Sequence, residues 1–275
     1  MPDMNNILRP EDYVEPACLL CGEPSEIAPI PQRRVAQKLD EYMSRRDYAG
    51  AERHLLYWLE EARLGRDKRG ELFLCNELIG HYRKTANRDG AFQRIERALA
   101  LLDELGFTEG VSAGTTLVNA ATAYSAFGEN ERALALFERA RVLYEAEETR
   151  PQLLGGLYNN MATVCAALGR YGEAFALYEQ AMEQMAQVRG GALEQAVTCL
   201  NMADAVAAEQ GLEAGEARIA ALLDRAVELL HDESVPRDGY YAFVCEKCAP
   251  GFAHYGWFAA AQECRETAKE LYERA

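Results

Sequence analysis

From about residue 32 onward, apolar residues recur at intervals of three and four, and the runs break at glycines, prolines and acidic turns. Residues three and four apart share one face of a helix, so this pattern predicts a succession of amphipathic helices. Ahead of it the pattern is different. Six of the nine prolines are Pro2, Pro10, Pro16, Pro24, Pro29 and Pro31. Proline fixes φ and removes a backbone donor, so residues 1–31 are expected to be extended or irregular, and 32–275 to be the helical domain.

The helical part repeats itself. "LVNAATAYSAFGENERALALFERAR" (117–141) is followed by "YNNMATVCAALGRYGEAFALYEQAM" (158–182) and by "CLNMADAVAAEQGLEAGEARIAALLDRAV" (199–227). Each reads as helix, tight turn, helix. A slot in the second helix holds Ala51, Ala91, Ala133, Ala174, Ile219 and Ala261, at spacings of 40, 42, 41, 45 and 42. Seven residues later Trp58, Ala98, Ala140, Ala181, Ala226 and Ala268 keep the same spacings. One helical hairpin cannot bury its apolar face alone, whereas hairpins stacked on one another can. Six hairpins of 40–45 residues are therefore expected.

These residues resemble the tetratricopeptide repeat (TPR) family over roughly 32–275. Its pattern of bulky, small, aromatic and glycine positions is met by Tyr158, Met161–Ala162, Cys165, Gly169, Ala174, Tyr178 and Ala181, and by Leu117, Ala120–Ala121, Tyr124, Gly128, Ala133, Phe137 and Ala140. The first two repeats carry Arg46 and Ala86 where the family has a turn glycine, and the fifth carries an insertion around "GLEAGEA". The long period resembles the branch that includes kinesin light chains and Rap-type regulators. The resemblance implies an all-α fold, a right-handed superhelix whose first helices line a concave groove, and a protein or peptide as partner.

Helical spacing then names the groove candidates: Asn76 and Arg83 in the second repeat, Asn119 and Thr122 in the third, Asn160 and Thr163 in the fourth, Asn201 and Asp204 in the fifth. Asn119, Asn160 and Asn201 occupy one slot in three successive repeats. A carboxamide both donates and accepts, so amides at repeat intervals can pair with the backbone of an extended peptide. In the long-repeat branch this resembles an asparagine ladder. The plain alternative is that a wet helix face simply carries polar residues. The lysine clamp of chaperone-tail binders is not matched, since its slots hold Ala36, Asn76 or Val118.

Composition narrows the partners. Hydrophobic residues are 49% of the 275, enough for a large core, and the formal net charge is −15. Such a surface repels phosphate backbones and anionic lipids, so neither nucleic acid nor membrane is expected. The start "MPDMNNILRPEDYVEP" has neither a basic stretch nor an apolar one, so a cytoplasmic location is expected, with reduced cysteines.

Candidate chemistry is sparse. "GVSAG" (110–114) has the form of a nucleophile elbow, but no strand is predicted before it. His54, His81, His231 and His254 fall in different repeats, and nothing assembles a nucleophile, a base and oxyanion donors, so no enzyme is expected and no cofactor is required. Two Cys-x-x-Cys pairs remain, Cys18 with Cys21 and Cys245 with Cys248. Four thiolates make a closed zinc site, so these are the candidate metal ligands. Against that, Cys75, Cys199 and Cys245 share a repeat slot where a small buried hydrophobe suffices, while Pro250 implies a kink or break in its helix. The primary expectation is a protein-interaction scaffold, with residues 1–31 a candidate for intramolecular contact with the repeats. The alternative is a metal- or redox-responsive regulator in which the cysteine pairs control the superhelix ends.

Overall fold

The computed structural model describes residues 27–107, 110–146 and 150–274. Among them are twelve α-helices and no strand: α1 (Gln32–Ser44), α2 (Tyr48–Leu64), α3 (Lys68–Lys84), α4 (Arg88–Glu104), α5 (Val111–Ala126), α6 (Asn130–Glu145), α7 (Pro151–Ala167), α8 (Tyr171–Ala186), α9 (Ala192–Gln210), α10 (Leu212–Leu230), α11 (Gly239–His254) and α12 (Phe258–Arg274). Each odd helix packs against the even helix that follows, giving six hairpins in the order the repeat implies. The chain divides into two compact units, 1–106 and 107–275.

In the first unit, one local solution recurs every 20 residues. Arg46, Arg66 and Ala86 take φ of 56°, 55° and 56°, a left-handed turn that lets the chain reverse after three residues. The next residue, Asp47, Asp67 or Asn87, accepts a hydrogen bond through its side chain from the N–H of Gly50, Gly70 or Gly90. That cap satisfies a donor the helix itself cannot. The glycines make room for it: a Cβ at Gly50 would lie 2.3 Å from the Asp47 carboxylate, and one at Gly70 2.2 Å from that of Asp67. Asp67 also accepts from the N–H of Ile30 at 2.9 Å, while the N–H of Ala28 donates to the Gly65 carbonyl at 2.9 Å. Residues 27–31 therefore dock on the α2–α3 corner, with Ile30 buried.

The same unit holds an ion-pair network. Glu71, its side chain 6% exposed, receives Arg63 at 3.1 Å and Arg97 at 2.9 and 2.7 Å, and Arg97 continues to Glu104 at 2.6 Å. The Arg97 hydrogen bond holds the Glu71 carboxyl below the ordinary glutamate range against the opposing effect of burial.

The second unit repeats at 41 to 45 residues instead, at Ala133, Ala174, Ile219 and Ala261. Gly128, Gly169 and Gly256 supply the positive φ inside the third, fourth and sixth hairpins, with longer links between hairpins. No side-chain cap serves α6, α8 or α10. The insertion in the fifth repeat is not a loop: α9 and α10 are each 19 residues long, against 16 or 17 for their neighbours, and meet at Gly211. The extra residues became helical turns.

Small residues set the helix crossings. Ala133, Ala140, Ala174, Ala181, Ala226 and Ala261 are fully buried, which permits close approach of helix axes. A second close approach was not anticipated. A Cβ on Gly114 would fall 2.3 Å from the Tyr144 ring, and one on Gly155 2.6 Å from the Met185 sulfur. The two pairs sit 41 residues apart, so the repeat keeps a notch in the odd helix for a bulky side chain of the even one. Around these crossings Phe137, Tyr178 and Phe252 are buried, each contributing about 1.5–3 kcal/mol by leaving water.

Candidate functional site

Within the second unit, α5 packs on α7, α7 on α9 and α9 on α11, so the odd helices form one layer. Each is also covered by its even partner, which leaves a polar stripe on every odd helix. On α5 the stripe is half-buried Asn119 and Thr122; on α7 it is Asn159, Asn160 and exposed Thr163; on α9 it is half-buried Asn201 and exposed Asp204. On α11 it changes character, to exposed Tyr240, Phe243, Glu246 and Lys247.

These side chains are held by neighbours. Thr122 donates to the Val118 carbonyl at 2.8 Å, and Thr163 to that of Asn159 at 3.0 Å while meeting the Tyr178 hydroxyl at 3.2 Å. The Asn201 amide donates to the Asn159 side-chain oxygen at 3.0 Å, joining α9 to α7. The ladder slot makes Asn160 the equivalent of Asn201, whereas the residue Asn201 bonds to is its neighbour Asn159. The Tyr255 hydroxyl donates to Asp204 at 2.7 Å, and that of Tyr240 to Glu194. The rings of Tyr240 and Phe243 stack at 6.2 Å. Burial raises the Glu194 carboxyl above its ordinary range, with Lys247 opposing.

Of the eight predicted groove residues, six share this layer in the second unit. Asn76 and Arg83 belong to the first unit, both on α3. Asn76 donates back to the Leu72 carbonyl at 3.1 Å, and Arg83 lies exposed in the last turn, where a cation complements the helix carbonyls. Sequence reasoning missed the aromatic pair on α11, because Tyr240 and Phe243 stand among apolar neighbours in "GYYAFVC", where they read as core.

Cys18 and Cys21 lie outside the described residues. Cys245 and Cys248 are both on α11, each 1% exposed within the core of α9 to α12. Pro250 lies inside α11, on its exposed side, and the helix runs on to His254. The break offered as one reading of Pro250 is therefore not seen. An exposed position leaves the carbonyl that loses its donor open to water. Burial pushes the Cys248 thiol up to about 12, and those of Cys75 and Cys199 to about 11. Among the described residues, no group of three or more His, Cys, Asp or Glu side chains is placed to hold a metal ion. The histidines are spent separately: His54 meets the Val35 carbonyl at 3.1 Å and His231 meets Glu263 at 2.7 Å. Gly110 to Gly114 enters the first turn of α5, with no strand before it among the described residues. No helix among those residues is long and apolar enough to cross a membrane.

Residues 153–214 match the tetratricopeptide repeat family. No curated protein sequence matches the chain. Among solved structures, the chain resembles one from Podosopora anserina, described as kinesin light chain nearly identical TPR-like repeats. Identity is 20%, the TM-score is 0.50, and the match covers 74% of this chain and 96% of that one. A single-substitution form of that protein matches at 20% identity and TM-score 0.51, covering 74% and 95%. BtubC (BKLC) from P. vanneervenii matches at 16% identity and TM-score 0.50, covering 90% of this chain and 92% of that one. At these identities the likeness concerns the fold.

Proposed function

We propose that this chain, a protein of the tetratricopeptide repeat family with kinesin light chain-like repeats, is a protein-interaction scaffold, and that the odd-helix layer of its second unit receives an extended segment of a partner protein. One observation carries the reading. Small polar side chains recur at steps of about 41 residues along adjacent helices: Asn119 and Thr122, Asn160 and Thr163, Asn201 and Asp204. Short side chains leave room for a main chain to approach. A carboxamide held to a neighbour on one side still has donor or acceptor capacity on the other. Asn201 and Asn159 are in that position, since their mutual bond uses one hydrogen of one amide and one lone pair of the other. The aromatic pair Tyr240–Phe243 ends the stripe with an apolar platform for a partner side chain, and Asp204 and Glu246 give the face an acidic bias. A segment with basic residues and an apolar anchor suits that chemistry.

The test is site-specific photocrosslinking in the cell of origin. A crosslinking residue at Thr163 or Asp204 is expected to capture a protein partner, while one at Glu179, exposed on an even helix, captures none. Adducts should disappear in an Asn160→Ala, Asn201→Ala double variant that remains folded. Capture from Glu179 alone would place the interaction on the other layer and overturn the proposal.

A further inference from the structure

The last hairpin contains a pair of thiols that the repeat pattern does not require. Cys245 on α11 and Cys264 on α12 are both buried and belong to the same core. They line one small recess with Leu230, Tyr241, Ala260 and Thr267, and that recess opens toward solvent beside the exposed His231–Glu263 pair. α11 packs against α12, and the two thiols line the same recess from its two sides. Cys248, three residues further along α11, does not line the recess.

We propose that Cys245 and Cys264 form a reversible disulfide between α11 and α12 when a small hydroperoxide enters the recess they line. The other four described cysteines lack one part or another of this arrangement. Cys75, Cys165 and Cys199 are not among the recess residues, and Cys248 faces the closed core. Cys245 is the nucleophile, because the neighbouring Cys264 thiol lowers its pKa, Arg237 and His231 add to that, and burial and Glu263 oppose it. The same pairing raises the Cys264 thiol, which keeps its proton until it is needed.

The chemistry balances with the hydroperoxide as oxidant. The Cys245 thiolate attacks one peroxide oxygen, the O–O bond breaks, and the departing oxygen takes a proton, leaving Cys245 as sulfenic acid. The Cys264 sulfur then attacks the Cys245 sulfur. The S–S bond forms, the S–O bond breaks, and the leaving hydroxide takes the Cys264 proton and departs as water. Two thiols lose two electrons and one peroxide gains them. The product covalently ties the helix that carries Tyr240 and Phe243 to its partner.

The full-length wild-type protein provides the test. It is treated with hydrogen peroxide without reductant, alkylated with N-ethylmaleimide and digested. Trypsin cuts after Arg237, Lys247 and Arg265, which separates Cys245 from the peptide holding Cys248 and Cys264. A second cut by chymotrypsin after Trp257 separates those two. The expected product is a cross-link, lighter by two hydrogens, between the peptides of Cys245 and Cys264. It should vanish with dithiothreitol, persist in Cys248→Ala, and give way in Cys264→Ala to a Cys245 sulfenic acid trapped by dimedone. A cross-link from Cys245 to Cys248 instead, or wild-type Cys245 and Cys264 both still alkylated after oxidation, would overturn the proposal.

Discussion

The two units build helical hairpins by different means. In the first, every connection from α1 to α4 is the same three-residue corner, with a left-handed residue, an Asp or Asn cap and a glycine three positions on. The helices are thus interchangeable in their ends, and charged groups at Glu71 and Asp67 hold the corners. In the second, glycine turns alternate with longer links, α6, α8 and α10 have no side-chain cap, and alanine crossings with notched glycines carry the packing. A capped, salt-bridged corner is local and leaves little on the helix faces to vary. Packing through small residues frees the odd-helix face to carry amides, hydroxyls and aromatics. The contrast locates structure-keeping polar groups in the first unit and, on the proposed function, the partner-facing ones in the second.

Each unit has one of the chain's two tryptophans, Trp58 and Trp257, so denaturation followed in single-tryptophan variants reports the units separately. The largest expected effect is at Asp67. Its replacement by Ala removes buried acceptors from Ile30 and Gly70 and should cost the Trp58-reported transition about 2–3 kcal/mol. Arg170→Ala, at the corresponding corner of α8, removes only a solvent-screened surface pair with Glu173 and should leave the Trp257-reported transition nearly unchanged. Equal losses at both sites would break the comparison.

Next comes Glu71→Gln, expected to cost the first unit about 2 kcal/mol at neutral pH through its charge-assisted bonds to Arg97 and Arg63. The folded-state pKa of Glu71 lies below its unfolded value, so its contribution is fully present above the ordinary glutamate range. It is lost as pH falls through that range and below it. The difference between wild type and Glu71→Gln in urea denaturation should therefore shrink on acidification. Glu194 has the opposite sign: its carboxyl is raised, so protonation on acidification should relieve the second unit.

The turn exchange is smaller. Arg46→Gly and Ala86→Gly should stabilise the first unit by about 0.5–1 kcal/mol each, the left-handed penalty less the entropy that glycine adds to the unfolded chain. Gly128→Ala and Gly169→Ala should destabilise the second by about 1 kcal/mol, wholly through φ, since no atom lies within 4 Å of the added methyl. Thermal melts of the four variants check the signs. The smallest effect is expected at Asn160→Ala, within about 0.5 kcal/mol in the same melts, as for a half-buried side chain away from the core.

The six hairpins were legible because alanine at a crossing point is a steric requirement, repeated at Ala133, Ala174 and Ala261. The turns at Arg46 and Ala86 were visible only as missing glycines, since a side chain says nothing of the φ that packing forces on it. The 20-residue recurrence of "DYAG", "DKRG" and "NRDG" is present in the sequence but lies within the stronger 40-residue period. In the fifth repeat the added residues were expected as an insertion, yet a helix absorbs whole turns as readily as a loop does. For the site, the polar stripe could be read from spacing, but the partner of Asn201 could not. A shift of one residue between adjacent helices decides whether it meets Asn159 or Asn160, and spacing along one helix does not fix that offset. Juxtapositions across a hairpin, such as Cys245 and Cys264 on one recess or Glu71 bonded to Arg97, depend in the same way on helix rotation.

The central claim is that the odd-helix layer of the second unit holds a partner segment through its small polar side chains. It is tested most directly by titrating a synthetic peptide, of the sequence captured from Thr163, into wild type, Asn160→Ala, Asn119→Ala and Glu179→Ala by calorimetry. The account predicts that each asparagine variant binds about 0.5–1.5 kcal/mol more weakly, the net worth of one hydrogen bond, while Glu179→Ala binds as wild type does. Wild-type affinity in both folded asparagine variants would contradict it.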